Sequence, residues 1–310
     1  MTWVSWRQQR TETLIAAAIL VALAALLVPT GLNMASAYHD GHLGSCLGAN
    51  VSGACRMQID GFLQRFDGIA SLIAWLTLVP GLLGVLLAAP FIAPLEQGTY
   101  RLDWTQSVTR ETWISRKLAL ATAAALLASL VLTLLLGWWQ APRVRLQGRM
   151  ENSVFDSQGI VIFGYTLFAL ALALAIGVVW RRAVPGLMVG FAGYFVARIF
   201  VDTWLRQRLV PTHELTWQGR EPAVLRHAWV ITEYPSNAHG EHVAVLCFKA
   251  GAQSGLPIPA CPRNAPQFVH AAFHPASQFW QLQLVETAIF GGVAVALLAF
   301  AAWWTLRRTA

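Results

Sequence analysis

Charge is scarce in this chain. Of its 310 residues only 12% are Asp, Glu, Lys or Arg, about half the share of a soluble globular protein. Lysine is scarcer still, with Lys117 in SRKLA and Lys249 in CFKA the only two. A phosphate-cradling GxxxxGK[ST] loop needs a lysine in a glycine-rich turn, and neither lysine lies in one, which excludes ATP chemistry by that motif on this chain. There is no internal repeat, no low-complexity tract and no Ser/His/Asp or Cys/His constellation. Two histidine pairs, His39/His42 in HDGH and His239/His242 in HGEH, have no third or fourth ligand beside them. They read as surface histidines, and no metal is expected.

What the chain does have is apolar sequence. It is 56% hydrophobic with 14 Trp, and six stretches reach the roughly 20 residues needed to cross a hydrocarbon core of about 30 Å. They are Thr13–Met34, Ile69–Leu95, Leu118–Trp139, Gly159–Trp180, Ala183–Leu205 and Val285–Leu306. The first follows Arg7 and Arg10 and ends in Ala35-Ser36-Ala37, which mimics a signal-peptide site; it reads as a retained span. The fold class is an all-α integral membrane protein with six transmembrane helices.

Orientation follows from basic residues close to the span ends. Arg7, Arg10, Arg101, Arg110, Arg116, Lys117, Arg181, Arg182, Arg307 and Arg308 collect on one side, which puts both termini in the cytoplasm of a cell-membrane protein. All four cysteines fall on the other side, and the pairs Cys46/Cys55 and Cys247/Cys261 read as two local disulfides in an oxidising compartment.

Between the spans, residues 1–12 read as an amphipathic interfacial helix and Ala35–Gly68 as a loose, glycine-rich external loop. Pro80, Pro90 and Pro94 each remove a backbone donor from the second span and predict kinks. Gln140–Gln158 reads as a solvated external segment, and Arg181-Arg182 before Pro185 predicts a tight hairpin between spans four and five. Residues 206–284 form the largest soluble piece. Strand-like alternation in Ala228–Glu233 and His242–Phe248 makes it a small, disulfide-stapled external lobe.

Ionisable residues inside the spans cost at least about 2.5–3.5 kcal/mol each unless paired or wet. Arg198 and Asp202, one turn apart on span five, are expected to pair with each other, and Glu286 starts the last span at similar depth. They are candidates for a structural ion pair or for a substrate pathway or gate.

The remaining feature is the polar, basic segment EQGTYRLDWTQSVTR, Glu96 to Arg110, between spans two and three. With its flanks, GVLLAAPFIAPLEQGTYRLDWTQSVTRETWISRKLAL resembles the signature region of actinobacterial ABC-2-type transporter permeases, the six-span subunits of ATP-driven exporters. The order of spans and FHPASQFWQLQLVETAIF (Phe273–Phe290) are also similar to that family. Pro94-Leu95 stands where relatives commonly place an Arg-Glu pair. The resemblance implies a single ABC-2-type transmembrane domain over residues 1–310. It implies that Glu96, Gly98, Thr99, Arg101, Trp104, Thr105, Gln106, Ser107, Thr109 and Arg110 belong to a cytoplasmic coupling helix, within 96–112, that fits a groove on a separate ABC ATPase subunit. Trp104 suits a buried anchor there, and Arg101 and Arg110 suit acidic partners. No cofactor is expected on this chain, and ATP and Mg belong to that ATPase; the other partners are a second permease subunit and membrane lipid, with no nucleic acid. The protein would be an exporter of amphipathic or hydrophobic substrates and no enzyme itself. The rival reading is a membrane sensor or immunity component whose 206–284 lobe binds an external ligand.

Overall fold

The computed structural model describes residues 2–47, 52–100, 109–219, 221–242 and 268–308. Its helices are α1 (Thr2–Asp40), α2 (Gly53–Leu76), α3 (Val79–Gln97), α4 (Arg110–Gln147), α5 (Asn152–Phe155), α6 (Val161–Trp180), α7 (Ala183–Phe200) and α8 (Phe279–Arg308). Among the described residues six stretches are long and apolar enough to cross a bilayer: Arg10–Asp40, Val79–Gln97, Arg110–Gln147, Val161–Trp180, Ala183–Arg208 and Ala276–Arg308.

Helix α6 is apolar on every side and most of its residues are buried, which is the pattern of a helix enclosed by others. It packs on α3, α7 and α8. Small residues set the distances. A Cβ added at Gly186 would stand 2.6 Å from the Cα of Gly177, and one at Gly190 would stand 2.7 Å from the Cα of Ala173. Backbones in contact through such a seam gain dispersion that bulkier side chains would block.

The second span begins later than its hydropathy predicts. Residues from Ile69 to Leu76 belong to α2, and the chain breaks at Thr77 and Leu78 before α3 starts. Pro80 lies in the first turn of α3, where its missing N–H bonds nothing in any case, so it starts a helix and makes no kink. Pro90 and Pro94 do lie inside α3. Pro94 has no N–H to offer the carbonyl of Pro90 four residues back, and the Nζ of Lys117, 2% exposed, donates to that oxygen at 3.2 Å. One of the two lysines thus repairs a proline defect.

Three further expectations change. The loop expected after the first span contains α2, whose Phe62 packs edge-on to Tyr38 at 6.3 Å between ring centres; only its Cys46–Cys55 disulfide is as expected. Gln140–Gln147 continue α4, and Asp156, expected in solvent, is buried. Helix α1 runs unbroken from Thr2 to Asp40, so no break sets residues 1–12 apart from the first span.

The piece after span five holds a three-stranded antiparallel sheet, with β3 (Phe268–His274) between β1 (His213–Gln218) and β2 (Trp229–Ser236). The predicted strand at Ala228–Glu233 corresponds to β2, while β1 and β3 were not foreseen. Of the predicted strand at His242–Phe248, His242 makes an isolated bridge to Ser236. Residues 243–248, like Cys247 and Cys261, lie outside the described residues.

Candidate functional site

At the end of the bundle that carries the disulfide and the sheet, five charged side chains and a tyrosine converge between α6, α7, α8 and the α5–α6 turn. Glu286 from α8 is fully buried and Arg206 is 1% exposed. Arg206 donates through Nε to Glu286 Oε2 at 2.9 Å, and through its terminal nitrogens to Asp156 Oδ1 at 2.5 Å and Asp202 Oδ1 at 2.6 Å. Arg198 pairs with Asp156 Oδ2 at 2.7 Å and lies 3.5 Å from Glu286 Oε1. Tyr165 sits at the centre: its hydroxyl donates to Glu286 Oε1 at 2.5 Å and accepts from Arg198 at 2.9 Å. The Arg198 guanidinium also lies 4.0 Å from the Tyr165 ring centre. Buried charges of this kind persist only when paired and hydrogen-bonded.

This corrects the expected pairing. Arg198 does not pair with Asp202; it reaches the α5–α6 turn and α8, and Asp202 pairs with Arg206. The reason is local. In an unbroken α-helix, residues eight apart sit about 80° around the axis from each other. Here Val201–Leu205 form a π-helical turn, closed by the bond from the Arg206 N–H to the Val201 carbonyl. The wider turn subtracts from that offset and brings Arg206 back over Arg198, so both arginines face Asp156. Burial by itself raises the carboxyl of Asp156, but Arg198 and Arg206 outweigh it and hold that group below its ordinary value.

Gln283 pins the same layer. Its Oε1 accepts from the Val161 N–H at the start of α6, at 3.0 Å, and its Nε2 donates to the carbonyls of Phe155 and Gln158 at 3.0 and 3.1 Å. Gly159, with φ +75°, permits this, since a Cβ there would stand 2.6 Å from Gln283 Oε1.

At the opposite end, Glu96 Oε2 accepts from the Ala183 N–H at 2.8 Å. Ala183 is the first residue of α7, where N–H groups lack partners and a carboxylate is favoured by the helix dipole. Arg181, left-handed at φ 53°, closes the two-residue hairpin between α6 and α7 and donates to the Arg308 carbonyl at 2.6 Å.

A family model described as ABC-2 membrane transporter related matches residues 17–206, more than half of the chain. The chain belongs to that family. It is an ABC-2-type permease, the membrane subunit of an ABC transporter, and the family works with a separate ABC ATPase subunit. No curated protein and no solved structure matches it. The matched residues of the permease stop at Arg206, so Glu286 and the sheet lie beyond them.

Of the residues expected to couple the permease to its ATPase, Glu96 ends α3 as a cap for α7, Gly98 is left-handed at φ +71°, and Thr99 follows in the turn. Thr109 is the N-cap of α4, its side chain accepting from the Thr112 N–H at 3.3 Å, and Arg110 begins that helix. Arg101, Trp104, Thr105, Gln106 and Ser107 lie outside the described residues. His39 is in the last turn of α1 and His42 in a left-handed turn after it, while the His242 ring lies 5.3 Å from that of Tyr234 at a tilt of 49°. Sequence reading missed Asp156, Tyr165, Arg206 and Gln283. The signal for Arg206 was its place two helical turns beyond Arg198.

Proposed function

We propose that this permease is the transmembrane half of an ATP-driven exporter, with both termini and the Glu96–Arg110 segment in the cytoplasm and the disulfide and sheet outside. The stretch between the end of α3 and the start of α4 acts as the coupling element on the ATPase, with Trp104 as its anchor; Glu96 and Arg110 belong to the two flanking helices and not to a single helix over 96–112. The observation that carries the mechanism is the hydrogen bond from Ala183 to Glu96. Through it, a push on the coupling segment loads the start of α7, and α7 with its π turn delivers that load to Arg198 and Arg206, up to about 35 Å away at 1.5 Å per residue. The cluster of Asp156, Tyr165, Arg198, Arg206 and Glu286 holds α6, α7 and α8 together at the outer end and serves as the external gate in its closed state. Opening requires that these charges exchange partners, which ATP-driven closure of the ATPases can supply as differential binding energy. The substrate class is amphipathic or hydrophobic, since the spans present mostly apolar surface. Two permease subunits, identical or sister chains, complete the pathway.

The test is co-purification with the ATPase subunit. Trp104→Ala with Arg101→Glu is expected to abolish ATPase recovery while membrane insertion stays intact. Glu96→Gln is expected to keep the assembly but lower substrate-stimulated ATP hydrolysis. Unchanged assembly in the first variant refutes the docking role.

A further inference from the structure

At the disulfide-bearing end of the bundle, a cleft of about 430 Å³ opens between α4 and the start of α8. Thr133, Gly137 and Ala141 form its floor along one face of α4, Arg145 and Arg149 stand at its mouth, and Trp280 walls it from α8. Thr133 to Arg145 spans about 18 Å of helix, close to half the bilayer thickness with its headgroup layer. The floor is open: nothing lies within 4 Å of where a Cβ on Gly137 would stand. The Thr133 hydroxyl oxygen is buried with no partner among the described residues. Half-exposed Trp138 and Trp280 mark the interfacial level on either side.

The mouth carries charge of one sign. Arg145 and Arg149 are exposed and have no carboxylate partner among the described residues. Each is oriented by a ring, Arg145 at 5.7 Å from the Tyr38 centre and Arg149 at 5.8 Å from that of Phe279. Among the described residues no carboxylate lines this cleft. The neighbouring cleft differs in charge, because Arg56, Asp60, Glu221 and Arg226 line it with both signs.

A trough about one leaflet deep, floored by small residues of α4 and walled by Phe279 and Trp280, with two guanidinium groups at its mouth, fits one ligand class. We infer that this cleft binds an anionic phospholipid of the surrounding leaflet, its acyl chain along Gly137 and Ala141 and its phosphate between Arg145 and Arg149. Two arginines suit a phosphodiester monoanion by charge-assisted hydrogen bonds. A zwitterionic headgroup would bring its ammonium beside two cations. The site makes no use of the ATPase or of the proposed gate, so it stands or falls apart from the export reading.

The experiment uses the full chain, delipidated in detergent and titrated with phosphatidylglycerol or phosphatidylcholine, with bound lipid counted by native mass spectrometry. Phosphatidylglycerol is expected to bind more tightly than phosphatidylcholine. Arg145→Gln with Arg149→Gln is expected to remove roughly 30-fold of that affinity at low salt, since each basic group near an anionic lipid contributes about fivefold. Gly137→Leu, whose side chain enters open space, leaves the arginines in place and is expected to lower phosphatidylglycerol binding by filling the trough. Equal affinity for the two lipids overturns the inference. So does unchanged phosphatidylglycerol binding in either variant.

Discussion

Glu286→Gln tests the buried cluster most directly. The carboxylate is fully enclosed and accepts from Arg206 Nε at 2.9 Å, from an Arg206 terminal nitrogen at 3.1 Å and from the Tyr165 hydroxyl at 2.5 Å. Glutamine keeps the volume but removes the charge, and its amide nitrogen must face a guanidinium donor where Oε1 or Oε2 stood. Two buried arginines then share one buried carboxylate, Asp156. Breaking a buried ion pair from one side costs about 3–5 kcal/mol, which corresponds to roughly 5–15 °C in melting temperature for a chain of this size. The assay is thermal unfolding of the detergent-solubilised protein, read by size-exclusion fluorescence. Arg206→Gln is expected to cost a similar amount, and the double variant much less than the sum, because each change removes the other's stranded charge; the coupling should exceed about 2 kcal/mol. A melting temperature within 1–2 °C of the parent, or additive losses, would refute the claim that these charges hold α6, α7 and α8 together.

Other consequences can be checked in the same way. Lys117→Met is expected to cost about 1–3 kcal/mol by stranding the Pro90 carbonyl, and in a Pro94→Ala background, where residue 94 regains the N–H that reaches this oxygen, most of the loss should disappear. Gly190→Ala drives a Cβ to 2.7 Å from the Cα of Ala173 and is expected to cost about 1–3 kcal/mol by overpacking, while Gly291→Ala, which meets nothing within 4 Å, should be close to neutral. Asp156 has a lowered folded-state pKa, so its contribution is present above the ordinary carboxylate value of 3.8 and is lost as pH falls through the folded value below it; Asp156→Asn should lower stability at pH 7 and flatten the acid limb of the melting curve, and a limb that stays as steep counts against the pairing.

The spans were legible because hydropathy depends on composition within one helix, and each predicted stretch overlaps a helix long enough to cross. Boundaries were less so. Ile69–Leu76 is apolar enough to extend span two, yet the chain breaks at Thr77 because Tyr194 from α7 occupies the space beside Gly81 and its hydroxyl donates to the Thr77 carbonyl at 3.2 Å. That contact joins residues 117 apart, and no local pattern reports it. The ion cluster was half legible for the same reason. Arg198, Asp202 and Glu286 announced themselves as charges within apolar runs, but the α-helical spacing that suggested Arg198 with Asp202 does not foresee a π turn. Asp156 and Arg206 sit just outside the spans as hydropathy bounded them, where sequence reading assigns charge to solvent. The coupling assignment rests on resemblance alone, since a polar loop by itself does not name its partner.

The two ends of α7 constrain how the permease can move. Its start is held by Glu96 and by the hairpin through Arg181, and its far end by four carboxylate contacts of Arg198 and Arg206. Its middle is seated on α6 through Gly186 and Gly190, with almost no room to slide inward. A helix clamped in this way cannot bend smoothly, because packed interfaces switch between discrete arrangements. A motion that keeps both the α6–α7 seam and the Glu96 link intact moves α3, α6 and α7 as one body against α8. The charges of the cluster would then have to break between Arg206 and Glu286, on α8, while those between Arg206 and Asp202 survive. Asp202 is the partially exposed carboxylate of the set, with its side chain 35% accessible, and it supplies the counter-charge that keeps Arg206 paired when Glu286 moves away. On this account Asp202→Asn should leave the resting fold nearly as stable as the parent but slow substrate-stimulated ATP hydrolysis, whereas Glu286→Gln lowers stability first. If Asp202→Asn destabilises the protein as much as Glu286→Gln does, the division of labour between a fixed partner and an exchange partner is wrong.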